Sequence, residues 1–71
     1  MTNVDLLERY IDESGYKRSY IAKRLGRTAY SLALKIQGKS KFNADEIDIL
    51  CDLLKIDVND RMRIFFAKRV D

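Results

Sequence analysis

Eight of the chain's fourteen Lys and Arg residues fall in one run, Lys17 to Lys41, that contains no acid: Lys17, Arg18, Lys23, Arg24, Arg27, Lys35, Lys39 and Lys41. The chemistry open to such a run is recognition of a polyanion, because clustered ammonium and guanidinium groups hold phosphates in register. All eleven acids lie outside it. Residues 1–16 set four acids against one Arg, and residues 42–71 set seven acids against five bases, so segments of −3, +8 and −2 hide within a formal charge of +3. A basic block in an acidic frame is the footprint of a nucleic-acid-binding face. Bond-making chemistry is poorly supplied. Histidine is absent, the single Cys51 has no partner for a disulfide or a zinc site, and neither a nucleophile–base pair nor a Gly-rich phosphate loop is apparent. Neither an enzyme nor a bound metal or cofactor is expected.

The elements that position this run follow from periodicity and punctuation. Seventy-one residues make one domain, 1–71, with apolar surface for a single core. With no leader-like apolar run and no membrane-length stretch, a cytosolic protein is expected. Gly15, Gly26 and Gly38 each follow an apolar-periodic segment, where helices end in a left-handed residue. A first helix is expected over about Val4 to Ser14, capped by Asn3, with Leu7 and Ile11 on its apolar face. A second spans about Arg18 to Leu25 with Ile21, Ala22 and Leu25 inward, and Lys17 caps it poorly. A third spans about Ala29 to Gln37 with Thr28 as N-cap. At 100° per residue Ala29, Leu32 and Ile36 face inward, Tyr30, Ser31 and Leu34 face outward, and Lys35 lies at the flank. A fourth, to about Leu54, has the strongest start signal: Asn43 and Glu46 as a capping box, Phe42 and Ile47 as a hydrophobic staple. Asp57 caps a fifth from Val58 to Met62 or beyond. The fold class is therefore all-α, a bundle of five short helices. The tail, residues 63–70, stays open between a continued helix and a strand that pairs with a second subunit. Tyr10, Tyr16 and Tyr20 are expected at the edge of the core, and Cys51 as a small buried hydrophobe.

The pattern Ile21-Ala22-x-x-Leu25-Gly26-x-Thr28-x-x-Ser31-Leu32-x-x-x-Ile36-x-Gly38, followed by FNADEIDILCDLL, resembles the helix-turn-helix of phage Cro and repressor proteins. The likeness covers about residues 4–66, with the two-helix motif at 18–38. It implies that Ala22 lets the helices cross closely, Gly26 allows the turn, and Leu32 and Ile36 pin the third helix so that its other face can enter a major groove about 12 Å wide. Carried over by position, it implies phosphate contact from Arg18, Lys39 and Lys41, with Lys17 on the same DNA-binding face, and the Thr28 hydroxyl can also meet a phosphate. It implies base reading around Arg27, Thr28, Ala29 and Tyr30, and again at Leu34, with Lys35 next to it. Where the family often has Gln, Asn, Arg or Ser, this chain has Ala29, Tyr30 and Leu34, so direct readout would lean on Arg27, Ser31 and Lys35.

Two functions from different classes fit these residues. One is a Cro-like transcriptional regulator of a phage or prophage, binding double-stranded operator DNA as a homodimer. The other is an antirepressor-type module on the same fold, docking on a phage repressor through an outward face that includes Tyr30, Ala33 and Leu34. Phe65 and Phe66, too apolar for a frayed end, are candidate core or dimer contacts.

Overall fold

The computed structural model describes residues 3–66, and all of its regular structure is helical. The helices are α1 (Val4–Ser14), α2 (Arg18–Arg24), α3 (Ala29–Ile36), α4 (Ala44–Leu54) and α5 (Val58–Phe65). An all-α chain of five helices is thus the observed architecture, with no strand among the described residues. The second and third helices end one residue earlier than expected.

Each helix begins where a short polar side chain can take up an orphan N–H. Asn3 accepts from the Leu6 N–H at 3.2 Å, Thr28 from Ser31 at 3.1 Å, and Asp57 from Asp60 at 2.7 Å. Asn43 accepts from the Glu46 N–H at 2.8 Å while the Glu46 carboxylate accepts from the Asn43 N–H at 2.9 Å, which is the reciprocal box the spacing predicts. The exception is α2, whose N-cap Lys17 offers no side-chain bond. Gly26 closes α2 with φ of 70°, a conformation that costs a residue with a Cβ about 1–2 kcal/mol. Lys55 ends α4 in the same region, at φ 56° and ψ 47°, without being glycine.

The core gathers one face from every helix. Leu7, Ile21, Leu32, Leu50 and Ile64 are fully buried, with Ile11, Ala22, Leu25, Ile36, Ile47, Cys51 and Leu54 around them. Phe42 is buried too, and with Ile47 it lines one groove, as a staple across the α4 cap requires. Asp45, Asp48 and Asp52 stay in water on the other side of α4. Burial of the Cys51 thiol raises its pKa.

Of the two readings of the tail, the helical one holds through Phe65. The residue it sends into the core is Ile64, while Phe65 packs edge-on against Phe42 at 5.5 Å and stays half-buried. The Asn3 N–H donates to the Ile64 carbonyl at 2.8 Å, joining the two ends of the domain. The remaining tail, 67–71, where strand pairing was the alternative, lies outside the described residues. The tyrosines divide. Tyr10 packs against the core and donates its hydroxyl to Asp60 of α5. Tyr16 and Tyr20 are not core-edge residues: both are exposed and pack on one another, with ring centroids 5.2 Å apart. Among the described residues no helix is long and apolar enough to cross a membrane.

Candidate nucleic-acid interface

α2 and α3 are joined by the tight turn through Leu25, Gly26, Arg27 and Thr28. Leu25 keeps two helical bonds, to the Ile21 and Ala22 carbonyls, and the Arg27 N–H folds back onto the Ala22 carbonyl at 2.9 Å. Ala22 is 2 % exposed, so this reversal is packed against the small residue that the pattern puts there. Leu32 and Ile36 anchor α3 from beneath.

The opposite face of α3 is open. Tyr30 is 75 % exposed in its first turn. Four and seven residues on, at successive turns of the same face, come Leu34, which is half-buried, and Gln37, which is exposed. Ala33 and Ser31 are half-buried at either side, and Ala29, expected to face inward with Leu32 and Ile36, is instead exposed at the first residue of the helix. Ala29, Ala33 and Gln37 also rim a shallow cleft floored by Leu32 and Ile36, with Glu8 and Arg18 across from them. The start of α2 therefore lies beside the outward face of α3. Gln37 was not among the residues singled out from the sequence. Its seven-residue spacing from Tyr30 was the available signal, and its position as the C-cap obscured it.

The basic residues separate into three environments. Lys17, Lys23, Arg24, Lys39 and Lys41 are exposed and have no acid within 4 Å among the described residues. Arg24 instead donates to the Tyr20 hydroxyl at 3.0 Å and lies 5.9 Å from its ring centroid. Arg18 stands 3.6 Å from Asp12, an exposed pair of small energetic weight. The third environment corrects the sequence expectation. Lys35 does not lie at the flank of the outward face of α3: it is 7 % exposed. Its ammonium donates to the Lys41 carbonyl at 2.6 Å, stands 3.3 Å from Glu46 Oε1, and lies 5.9 Å from the Phe42 ring centroid. The stem of α3 is held from below by this contact, so Lys35 cannot reach a base edge from the fold as it stands.

Glu46 is the organising acid of the site, and sequence reasoning gave it only a capping role. It is 3 % exposed. Besides closing the cap of α4, its Oε2 accepts from Arg27 Nε at 2.5 Å, so one carboxylate holds the turn, α3 and α4 together. Burial pushes its pKa up. The Asn43 N–H and the Arg27 and Lys35 cations outweigh that and bring it below the ordinary carboxylate value. Arg27 keeps its side chain 43 % exposed despite the pair. Thr28 spends a lone pair on the Ser31 N–H and retains its hydroxyl proton for another acceptor.

A second exposed surface lies along α5. Val58, Met62 and Phe66 recur every four residues and are 77 %, 54 % and 47 % exposed. Of the two phenylalanines proposed for contacts, Phe66 belongs to this stripe, whereas Phe65 is turned toward Phe42. Comparison with protein families, with curated proteins and with solved structures found no match to the chain.

Proposed function

We propose that this chain is a DNA-binding transcriptional regulator of the Cro type, which presents α3 to the major groove and binds operator DNA as a homodimer. The observation that carries the proposal is the state of α3: anchored through Leu32, Lys35 and Ile36, it leaves Tyr30 and Gln37 in water, in a chain whose exposed Lys17, Lys39 and Lys41 have no acid within 4 Å among the described residues. A helix gripped on one side and bare on the other is what insertion in a groove demands. Lys17, Arg18, Lys39 and Lys41 would meet phosphates and set orientation, while Tyr30, Gln37 and Leu34 would meet base edges. Gln37 supplies the amide that the residues at 29, 30 and 34 lack, since a Gln side chain can pair with the N6 and N7 of adenine. Leu34 and Ala29 suit a thymine methyl. The α5 stripe of Val58, Met62 and Phe66 would join two copies, because an isologous contact needs only one self-complementary patch.

Selection of bound duplexes from a random pool tests this. Enrichment of a two-fold-symmetric site, with half-sites about 34–36 Å apart, is expected. Binding that is indifferent to sequence refutes base reading by α3. The exposure of Tyr30 favours one competing use, docking on a repressor protein, since aromatic side chains anchor protein interfaces. That use would give a stoichiometric complex that survives high salt and is lost in Tyr30→Ala.

A further inference from the structure

Arg27 is held in an unusual way for a surface arginine. Its Nε donates to Glu46 Oε2 at 2.5 Å, and among the described residues neither Nη nitrogen makes a hydrogen bond. The partner carboxylate is itself immobile. Glu46 is 3 % exposed, and its other oxygen is fixed by the Asn43 N–H at 2.9 Å and the Lys35 ammonium at 3.3 Å. A guanidinium is planar, so gripping Nε from a rigid point sets the direction of its Nη edge. That edge belongs to the residue immediately before the N-cap of α3, and the side chain is 43 % exposed.

We infer that Glu46 is a positioning residue for nucleic-acid binding: it presents the free Nη edge of Arg27 to a backbone phosphate next to the start of α3. This rests on the DNA-binding proposal above. Phosphate is the ligand class because a guanidinium edge pairs with it through two parallel N–H bonds. A free arginine would have to give up rotamer freedom on contact, whereas this one has already given it up on folding. The same contact makes an opposite outcome conceivable. If Glu46 served only to neutralise Arg27, removing its charge would free that cation and strengthen binding.

A double-mutant cycle decides between these uses. Affinity for a selected operator duplex is measured for wild type, Arg27→Ala, Glu46→Gln and the double variant, each checked for helicity. Glu46→Gln should weaken binding about threefold to tenfold, the range set by ordering one long side chain. In the Arg27→Ala background the same change should have no further effect. Equal losses in both backgrounds would mean a structural role only, and tighter binding would mean neutralisation; either overturns the inference while leaving DNA binding intact. Absence of wild-type binding to any duplex overturns the DNA-binding proposal, and this inference with it. If Glu46→Gln does not fold, the cycle is run in a Lys35→Met background, which removes the buried ammonium that would otherwise lose its carboxylate counter-charge.

Discussion

Lys35→Met separates what the charge map suggests from what the fold does with the charge. If Lys35 met DNA, its loss would flatten the salt dependence of binding by about 0.9 in log–log slope and leave stability alone. The structure predicts the reverse. Lys35 is 7 % exposed, donates to the Lys41 carbonyl at 2.6 Å and stands 3.3 Å from Glu46. Hydrogen bonds to charged groups contribute about 1.5–3 kcal/mol each. Three offsets reduce the loss here. Met fills most of the stem's volume and needs no desolvation, Glu46 keeps Arg27 and the Asn43 N–H, and the exposed Lys41 can turn its carbonyl to water. A net destabilisation of about 1–2 kcal/mol is therefore expected, well below the 3–5 kcal/mol of a buried pair broken outright. Urea unfolding reads it as a lower midpoint at unchanged slope, a shift of about 0.5–2 M for a small domain. Unaltered stability together with a flatter salt dependence would refute the burial of Lys35 and return it to the reading face.

Other perturbations test neighbouring parts of the structure. Asn43→Ala removes half of the α4 box and should cost about 1–2 kcal/mol in the same assay. Because the Glu46 pKa is lower folded than unfolded, its contribution is complete above the ordinary carboxylate value and disappears as pH falls through the depressed folded one. Thermal melts should show that acid loss in wild type and a flatter acid limb in Glu46→Gln. Tyr10 is pushed up to about 12, first by its hydrogen bond to Asp60 and then by burial and the charges of Asp60 and Asp57. What it contributes is therefore present below the ordinary phenol value and lost as pH rises through about 12, so Tyr10→Phe should remove that alkaline step from a pH series of melts. Met62→Ser on the α5 stripe should lower the self-association measured by sedimentation and leave helicity unchanged, because Met62 is 54 % exposed.

What the sequence made legible was local. Asn3, Thr28, Asn43 and Asp57 each cap the helix they precede, since an N-cap is decided by a side chain and N–H groups within three residues of it. The inward positions of α4 came from a period that its own residues carry. Of the misses, the one at Lys35 depends on distant chain. Lys35 looked like a flank residue because nothing near it in sequence is acidic; Glu46, eleven positions on, draws it inward only after α4 folds back. Tyr16 and Tyr20 looked like core-edge packing because they are large, yet they stack on each other in water. Lys55 ends α4 in a left-handed turn that residue type did not announce. Gln37 was passed over as a helix end, although the period that marked Tyr30 also marks it.

The same distant contacts change how many charges can meet DNA. Eight cations, taken from sequence, would allow a salt slope of about −7.2 per protomer at 0.9 per phosphate. One should be withdrawn, since Lys35 is sealed beneath α3, whereas Arg24 is exposed and its bond to the Tyr20 hydroxyl holds no acid. Arg18 stays in the count, because its exposed pair with Asp12 yields readily to phosphate. The remaining seven, Lys17, Arg18, Lys23, Arg24, Arg27, Lys39 and Lys41, set a ceiling of about −6.3 per protomer for this run. Binding of a short operator duplex, titrated between about 0.05 and 0.2 M salt, measures the slope. A steeper value than that ceiling, falling back by about 0.9 in Lys35→Met, would mean that the Lys35–Glu46 contact opens on DNA. The buried carboxylate would then be a latch that DNA releases, and not the fixed support on which α3 and Arg27 rest.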